Sequence, residues 1–222
     1  MSVFLQREID KLKTMISSLG AHVEENVGRA VKAVHERDGE LAQAVIDSDP
    51  DIDLMEVDIE EECLKTLALH QPVAHDLRFI IAVLKVTSDL ERIGDLAAGI
   101  AKQGQYLAGD GPSVVPYDLL GMAAKVRQML RESLDALMEK DAAIARGVRA
   151  ADDEVDAMDR MMYQEIRAAI RKTPERTEGL IRLQRVSQNL ERIADHATNI
   201  AEDVIYLVEG EIVRHTSPSD DQ

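Results

Sequence analysis

Apolar residues along this chain recur at steps of three and four, and no stretch of useful length alternates them with polar ones. That is the period of an amphipathic α-helix, not of a strand. The pattern predicts six helical stretches. The first covers residues 4–35. The second starts near residue 38, bends or breaks at Asp47-Ser-Asp-Pro-Asp51, and ends near residue 69. The third covers residues 74–107. Gly109-Asp-Gly-Pro-Ser-Val-Val-Pro116 then reads as a linker, because it combines glycines with prolines. Three more helices follow at about 117–138, 141–171 and 174–208. The remaining prolines, Pro50, Pro72, Pro174 and Pro218, fall at expected helix starts or in connections. Residues 216–222 read as a frayed, disordered tail.

The two sets of three helices are copies of one unit. Leu90-Glu91-Arg92-Ile93-Gly94-Asp95 recurs as Leu190-Glu191-Arg192-Ile193-Ala194-Asp195, and residues 76–107 share twelve identities with residues 176–207. Upstream, Asp49-Pro-Asp-Ile-Asp53-Leu-Met55-Glu56 aligns with Asp152-Asp-Glu-Val-Asp156-Ala-Met158-Asp159 at an offset of 103. The change of offset falls between the second and third helices of each copy, where insertions belong. The expected fold is therefore all-α: two tandem three-helix bundles, six helices in all, related by an internal repeat. The expected boundaries are 1–108 for the first repeat, 109–116 for the linker and 117–215 for the second repeat.

The third helix of each copy carries two seams. One reads Val86, Leu90, Ile93, Ala97, Ile100, Gly104, Leu107, and again Val186, Leu190, Ile193, Ala197, Ile200, Val204, Leu207. Its heptad-like spacing marks a core stripe. The other runs Leu77, Ile81, Leu84, Ser88, Glu91, Asp95, starting apolar and turning acidic. Its second copy is Ile181, Gln184, Gln188, Glu191, Asp195.

Composition adds few aromatics and a net charge of −16. That balance argues against nucleic acid and against adhesion to anionic lipid, both of which call for basic surface. Residues 47–62 alone hold nine acidic side chains and no basic one. This is either a solvated helix start favoured by the dipole or a functional surface. Cys63 stands alone, so no intramolecular disulfide is available. No signal-peptide pattern opens the chain, and no apolar run approaches the roughly 18 residues of a membrane span. A cytoplasmic protein without direct membrane insertion is expected.

Carboxylates four apart on a helix are neighbours, with Cβ atoms roughly 5–6 Å apart. Glu91/Asp95 and Glu191/Asp195 are such pairs, and Asp49/Asp53 and Asp152/Asp156 on the preceding helix supply another in each copy. If the two helices pack side by side, four carboxylates converge per repeat. Their repulsion needs relief by a cation, an arginine or water. Arg92 and Arg192 follow Glu91 and Glu191 but point about 100° away. An all-oxygen set suits Mg, Ca or Mn, and iron is possible; zinc ordinarily wants Cys or His. His196 follows Asp195, but the other copy has Leu96, so His196, like His22, His35, His70, His75 and His215, reads as a polar-face residue. No phosphate-binding glycine loop, nucleophile elbow or metalloprotease motif occurs. The Glu-x-x-His of carboxylate-bridged di-iron enzymes is also missing. No enzyme is expected.

Gln71-Pro-Val-Ala-His-Asp-Leu-Arg78, Leu90-Glu-Arg-Ile-Gly-Asp95 and Leu190-Glu-Arg-Ile-Ala-Asp-His-Ala-Thr-Asn-Ile-Ala-Glu202 together resemble the PhoU family, regulators of bacterial phosphate uptake and signalling. Val45-Ile-Asp-Ser-Asp-Pro-Asp-Ile-Asp53 is similar too. The match is in order and spans nearly the whole chain. Ala194 stands where the first copy has Gly94, and Asp-Leu-Arg occurs only in the first copy. The resemblance implies two three-helix bundles related by pseudo-twofold symmetry, and metal clusters on Asp49/Asp53 with Glu91/Asp95 and on Asp152/Asp156 with Glu191/Asp195. The bound ion would be divalent or ferric: iron, Mn, Mg, Zn or Ca. It further implies a negative regulator that contacts a sensor histidine kinase and the ATPase of the phosphate ABC transporter, with homodimers common. Two alternatives stay open: a carboxylate-bridged di-metal oxidative enzyme, and a metal-free helical adaptor whose acidic pairs are bridged by arginine.

Overall fold

The computed structural model describes residues 3–109, 115–211 and 213. Among them the ordered elements are helical and no strand occurs. Helix α1 is Val3–Glu36, α2 Gly39–Asp47, α3 Asp49–His70 and α4 Ala74–Ala108. The second half holds α5 Leu119–Glu139, α6 Ala142–Lys172 and, after a single 3₁₀ turn at Pro174–Arg176, α7 Thr177–Glu209. Five of the linker's residues and the tail 216–222 lie outside the described residues.

The six expected stretches are present, and the second is interrupted at Ser48 to give α2 and α3. Pro50 lacks the N–H that a continuous helix would use, but it suits the first turn of a new one. Ser48 fills the break: its hydroxyl donates to the Val45 carbonyl at 2.8 Å and accepts from Asn26 Nδ2 at 3.0 Å, pinning the corner to α1. The second copy has Asp153 in place of Pro50, and α6 runs through unbroken.

Starts and stops follow local chemistry. Asp38, Asp118 and Asp141 cap α2, α5 and α6 through backbone N–H groups of Leu41, Gly121 and Ala143. α7 ends on Gly210 at φ 78°, a left-handed position that glycine takes without steric cost.

The predicted core seam is buried at every position in both copies. The upstream offset of 103 is also visible in packing. Ile52, Ile59 and Cys63 of α3 match Val155, Met162 and Ile166 of α6, and all six are buried.

One continuous apolar core spans the two repeats. α4 and α7 join them, lying antiparallel. Early α4 meets late α7 through Lys85 and Asp203, 3.0 Å apart, and late α4 meets early α7 where Arg182 stacks 4.0 Å from the Tyr106 ring centroid. Between them His196 Nδ1 lies 2.8 Å from Asp89 Oδ1. α1 and α5 add a second joint, with Arg127 and Arg131 both on Glu24. Among the described residues no helix is long and apolar enough to cross a membrane.

Candidate metal centre

Packing of α3 on α4 brings the first set of carboxylates together. Gly94 is the close-contact point: a Cβ there would stand 3.1 Å from Ile52 Cδ1 and 3.7 Å from Asp49 Oδ1. That contact sets Asp49 over the turn of α4 carrying Glu91 and Asp95. Asp53 lies one turn along α3. α6 and α7 repeat the arrangement with Asp152 and Asp156 against Glu191 and Asp195. The eight predicted residues thus fall into two neighbouring sets of four, one along each α3–α4 or α6–α7 contact, and the surface between the two helices of each pair is termed a groove below.

Their electrostatics are those of crowded like charges. Burial raises Asp49 above the ordinary aspartate range, and Asp95 and Asp53 raise it further, against Lys102. Glu91 is raised by burial, then by Asp95; Arg92 opposes. The second groove is more strained. Burial, then Asp195 and Asp156, push Asp152 up to about 6. Burial, then Asp195, Asp159 and Asp156, push Glu191 up to about 7. Asp195 is raised by burial and by Asp156. Like charges in a partly desolvated groove disfavour ionisation, and a bound cation would reverse that.

Arginine gives little relief. Arg92 Nε is 3.8 Å from Glu91 Oε2, and Arg160 Nη1 is 3.9 Å from Asp156 Oδ2. Among the influences on Glu191, Arg192 comes last.

Two further carboxylates belong to these grooves. Glu56 is raised by burial and then by Glu91. Asp159 acts on Glu191 and accepts a short hydrogen bond from the buried Ser187 hydroxyl. Each stands three residues beyond Asp53 or Asp156, on the same face, and their equivalence in the repeat was the available signal. Thr198 also went unmarked: its hydroxyl oxygen is buried without a well-formed hydrogen bond, yet it favours the charged form of Asp152.

The donor set fits a hard cation: carboxylate oxygens from two helices with a hydroxyl alongside in the second repeat. Among the described residues no three His, Cys, Asp or Glu side chains are gathered tightly enough to hold a metal ion.

Other residues have separate roles. His196 pairs with Asp89 across the repeat interface and is also near enough to Asp195 to oppose the rise in that carboxyl. His75 Nε2 accepts from Lys140 at 3.2 Å. His215 is outside the described residues. Cys63 is fully buried, and burial pushes its thiol up to about 12, so it is unreactive.

Two copies of a three-helix unit on a shared core, each with a carboxylate-lined groove between its second and third helices, define a class of duplicated helical-bundle proteins. The PhoU domain model matches the chain twice, over residues 16–104 and 119–204. The chain belongs to the PhoU family. It is 38% identical over 209 residues to a phosphate-specific transport system accessory protein PhoU homolog of Pseudomonas aeruginosa, covering 94% of this chain and 86% of the relative. A homolog of the same name from Aquifex aeolicus is 38% identical over 212 residues, covering 95% and 96%. The crystal structure of PhoU from Pseudomonas aeruginosa is similar with a TM-score of 0.89 and 37% identity, over 93% of this chain and 99% of that one. The phosphate transport system regulatory protein PhoU from Streptococcus pneumoniae gives 0.87 and 32%, over 94% and 99%.

Proposed function

We propose that this protein is a negative regulator of phosphate uptake and of the phosphate-starvation response. It acts as a metal-binding adaptor, as a homodimer in the cytoplasm, between the phosphate ABC transporter's ATPase and a sensor histidine kinase. The observation that carries the reading is the match in both repeats, along nearly the whole chain, to proteins named as accessory to phosphate-specific transport. Those names describe accessory and regulatory proteins, which supports a role other than enzymatic turnover.

Asp49, Asp53, Glu91 and Asp95 would hold the ion in the first repeat, and Asp152, Asp156, Glu191 and Asp195 in the second. The ion would neutralise each acidic groove and clamp two helices of the bundle. The metal-free adaptor is the rival, and the long arginine contacts count against it. The oxidative di-metal enzyme is the weaker rival, because the chain carries no Glu-x-x-His.

Deleting the gene tests the regulatory reading: phosphate-starvation genes should stay on in rich phosphate. Normal repression in the deletion strain sinks it. Elemental analysis of protein purified without chelator tests the metal, with Glu91→Gln/Asp95→Asn expected to lose about half the ions while keeping its helicity.

A further inference from the structure

Helix α3 carries apolar residues on two opposite faces. Ile52, Ile59, Cys63 and Thr66 are buried against the bundle. At about 100° per residue, Leu54, Val57 and Leu64 fall on the reverse side, and they are 65, 49 and 60% exposed. Isolated exposed leucines are ordinary, but a stripe along one helix is not. Acid borders this stripe: Asp51 and Asp58 on one edge, where Lys65 also stands paired with Glu62, and Glu60 on the other, with Glu61 inside it, all of them exposed except Glu62.

The second repeat serves as an internal control. At the offset of 103 confirmed by burial, Leu54, Val57 and Leu64 become Ala157, Arg160 and Arg167, all exposed. The helix needs no apolar residues there to fold into its bundle. α6 exposes Met161 and Tyr163 instead, at the places of Asp58 and Glu60, so the position of this stripe belongs to the first repeat and not to the fold.

We infer that the outer face of α3 is a docking strip for a basic amphipathic helix of a partner protein. Apolar residues along one side of such a helix would cover Leu54, Val57 and Leu64, and its Lys or Arg flanks would meet the acidic borders. Charge decides the occupant. A symmetric contact with a second copy would lay two acid-bordered strips face to face. An anionic membrane meets the same repulsion. This inference takes from the adaptor reading only that the partner is a protein.

The test uses the full chain and a fluorescent synthetic helical peptide with leucines at heptad spacing and lysines elsewhere. Its controls are the same peptide with glutamates for lysines and a scrambled peptide of equal charge. The Leu/Lys peptide should bind and both controls should not. Val57→Gln/Leu64→Gln, which leaves charge unchanged, should weaken binding about tenfold or more. Val57→Arg/Leu64→Arg, which copies α6, should weaken it further. Both sites are solvent-facing, and circular dichroism checks the fold. Equal binding by the Gln variant, or by the scrambled peptide, overturns the inference. Loss of dimer in the Gln variant by sedimentation, or loss of binding to phosphatidylglycerol vesicles, also overturns it by assigning the strip to another occupant. The phosphate-repression phenotype is read separately, so either idea can fail alone.

Discussion

Ile52 Cδ1 and Cγ2 would lie 3.1 and 3.2 Å from a Cβ on Gly94, closer than a methyl group comfortably sits. In the second repeat the equivalent residues are Val155 and Ala194. One carbon has moved from one helix to the other, and the volume between α3 and α4 is conserved. Gly94→Ala should gain little alone, because about 1 kcal/mol of helix propensity is offset by crowding. In an Ile52→Val background, which removes the Cδ1 contact and keeps the Cγ2 one, the same change should stabilise by roughly 0.5 kcal/mol. Denaturant unfolding of the four proteins measures the coupling, and identical effects of Gly94→Ala in both backgrounds would refute the packing account.

Metal-free protein should show a signature of Glu191 in its pH dependence. Its carboxyl is pushed up to about 7 from an ordinary 4.5, so the folded state holds the proton more tightly than the unfolded chain. The associated stability is full below 4.5 and is lost as pH rises through about 7. Glu191→Gln should therefore be more stable than the parent near pH 8, by on the order of 1 kcal/mol after solvent screening. The difference should fade towards pH 4. An advantage that persists unchanged at low pH would mean that charge is not its cause.

Much of this was legible in the sequence because helices print their periodicity. The seam from Val86 to Leu107 and its copy were readable as core, since apolar side chains at heptad spacing must find cover. The break at Asp47-Ser-Asp-Pro-Asp51 was readable because proline cannot continue a helix. The eight groove carboxylates could be placed because the repeat marked them twice. What escaped depends on how helices cross. His196 looked like a surface residue, yet the antiparallel pairing of α4 and α7 sets it on Asp89. Glu56, Asp159 and Thr198 are not legible from a spacing of four, because a groove is lined from both walls. The apolar seam from Leu77 to Ile81 proved partly open to solvent, which spacing cannot reveal.

Lys85 tests whether the repeats fold as one unit. Its Nζ lies 3.0 Å from Asp203 Oδ1, on a residue only 3% exposed, at the joint between α4 and α7. Lys85→Met removes the cation and leaves the buried carboxylate without that ion pair. The cost should be about 2 kcal/mol, below that of a fully buried pair because the lysine is partly solvated. Because the core is continuous across both repeats, unfolding should remain a single transition at lower denaturant. Two separated transitions, one per repeat, would show that the joint does not couple them.

The two grooves should differ in affinity for the same cation. In the first, Lys102 stands close enough to Asp49 to lower its proton affinity, so a protein cation already supplies part of the relief. The residue at that place in the second repeat is Glu202, whose charge is taken up by buried Arg149 at 3.5 Å. There Asp152 and Glu191 carry the larger upward shifts, and the Thr198 hydroxyl adds an oxygen. His196 and Arg192 oppose the rise in Asp195, but the shifts left over are larger than in the first groove, so a hard divalent ion has more repulsion to relieve in the second and no lysine to displace. Manganese at about 100 times its Kd should stabilise by about 2.7 kcal/mol per site. Glu191→Gln/Asp195→Asn should lose more of the manganese-induced rise in Tm than Glu91→Gln/Asp95→Asn. Equal losses would mean that Lys102 and Thr198 do not tune the sites. A larger loss from the first-repeat variant would reverse the ranking, and calorimetric titration of each variant would give the two affinities directly.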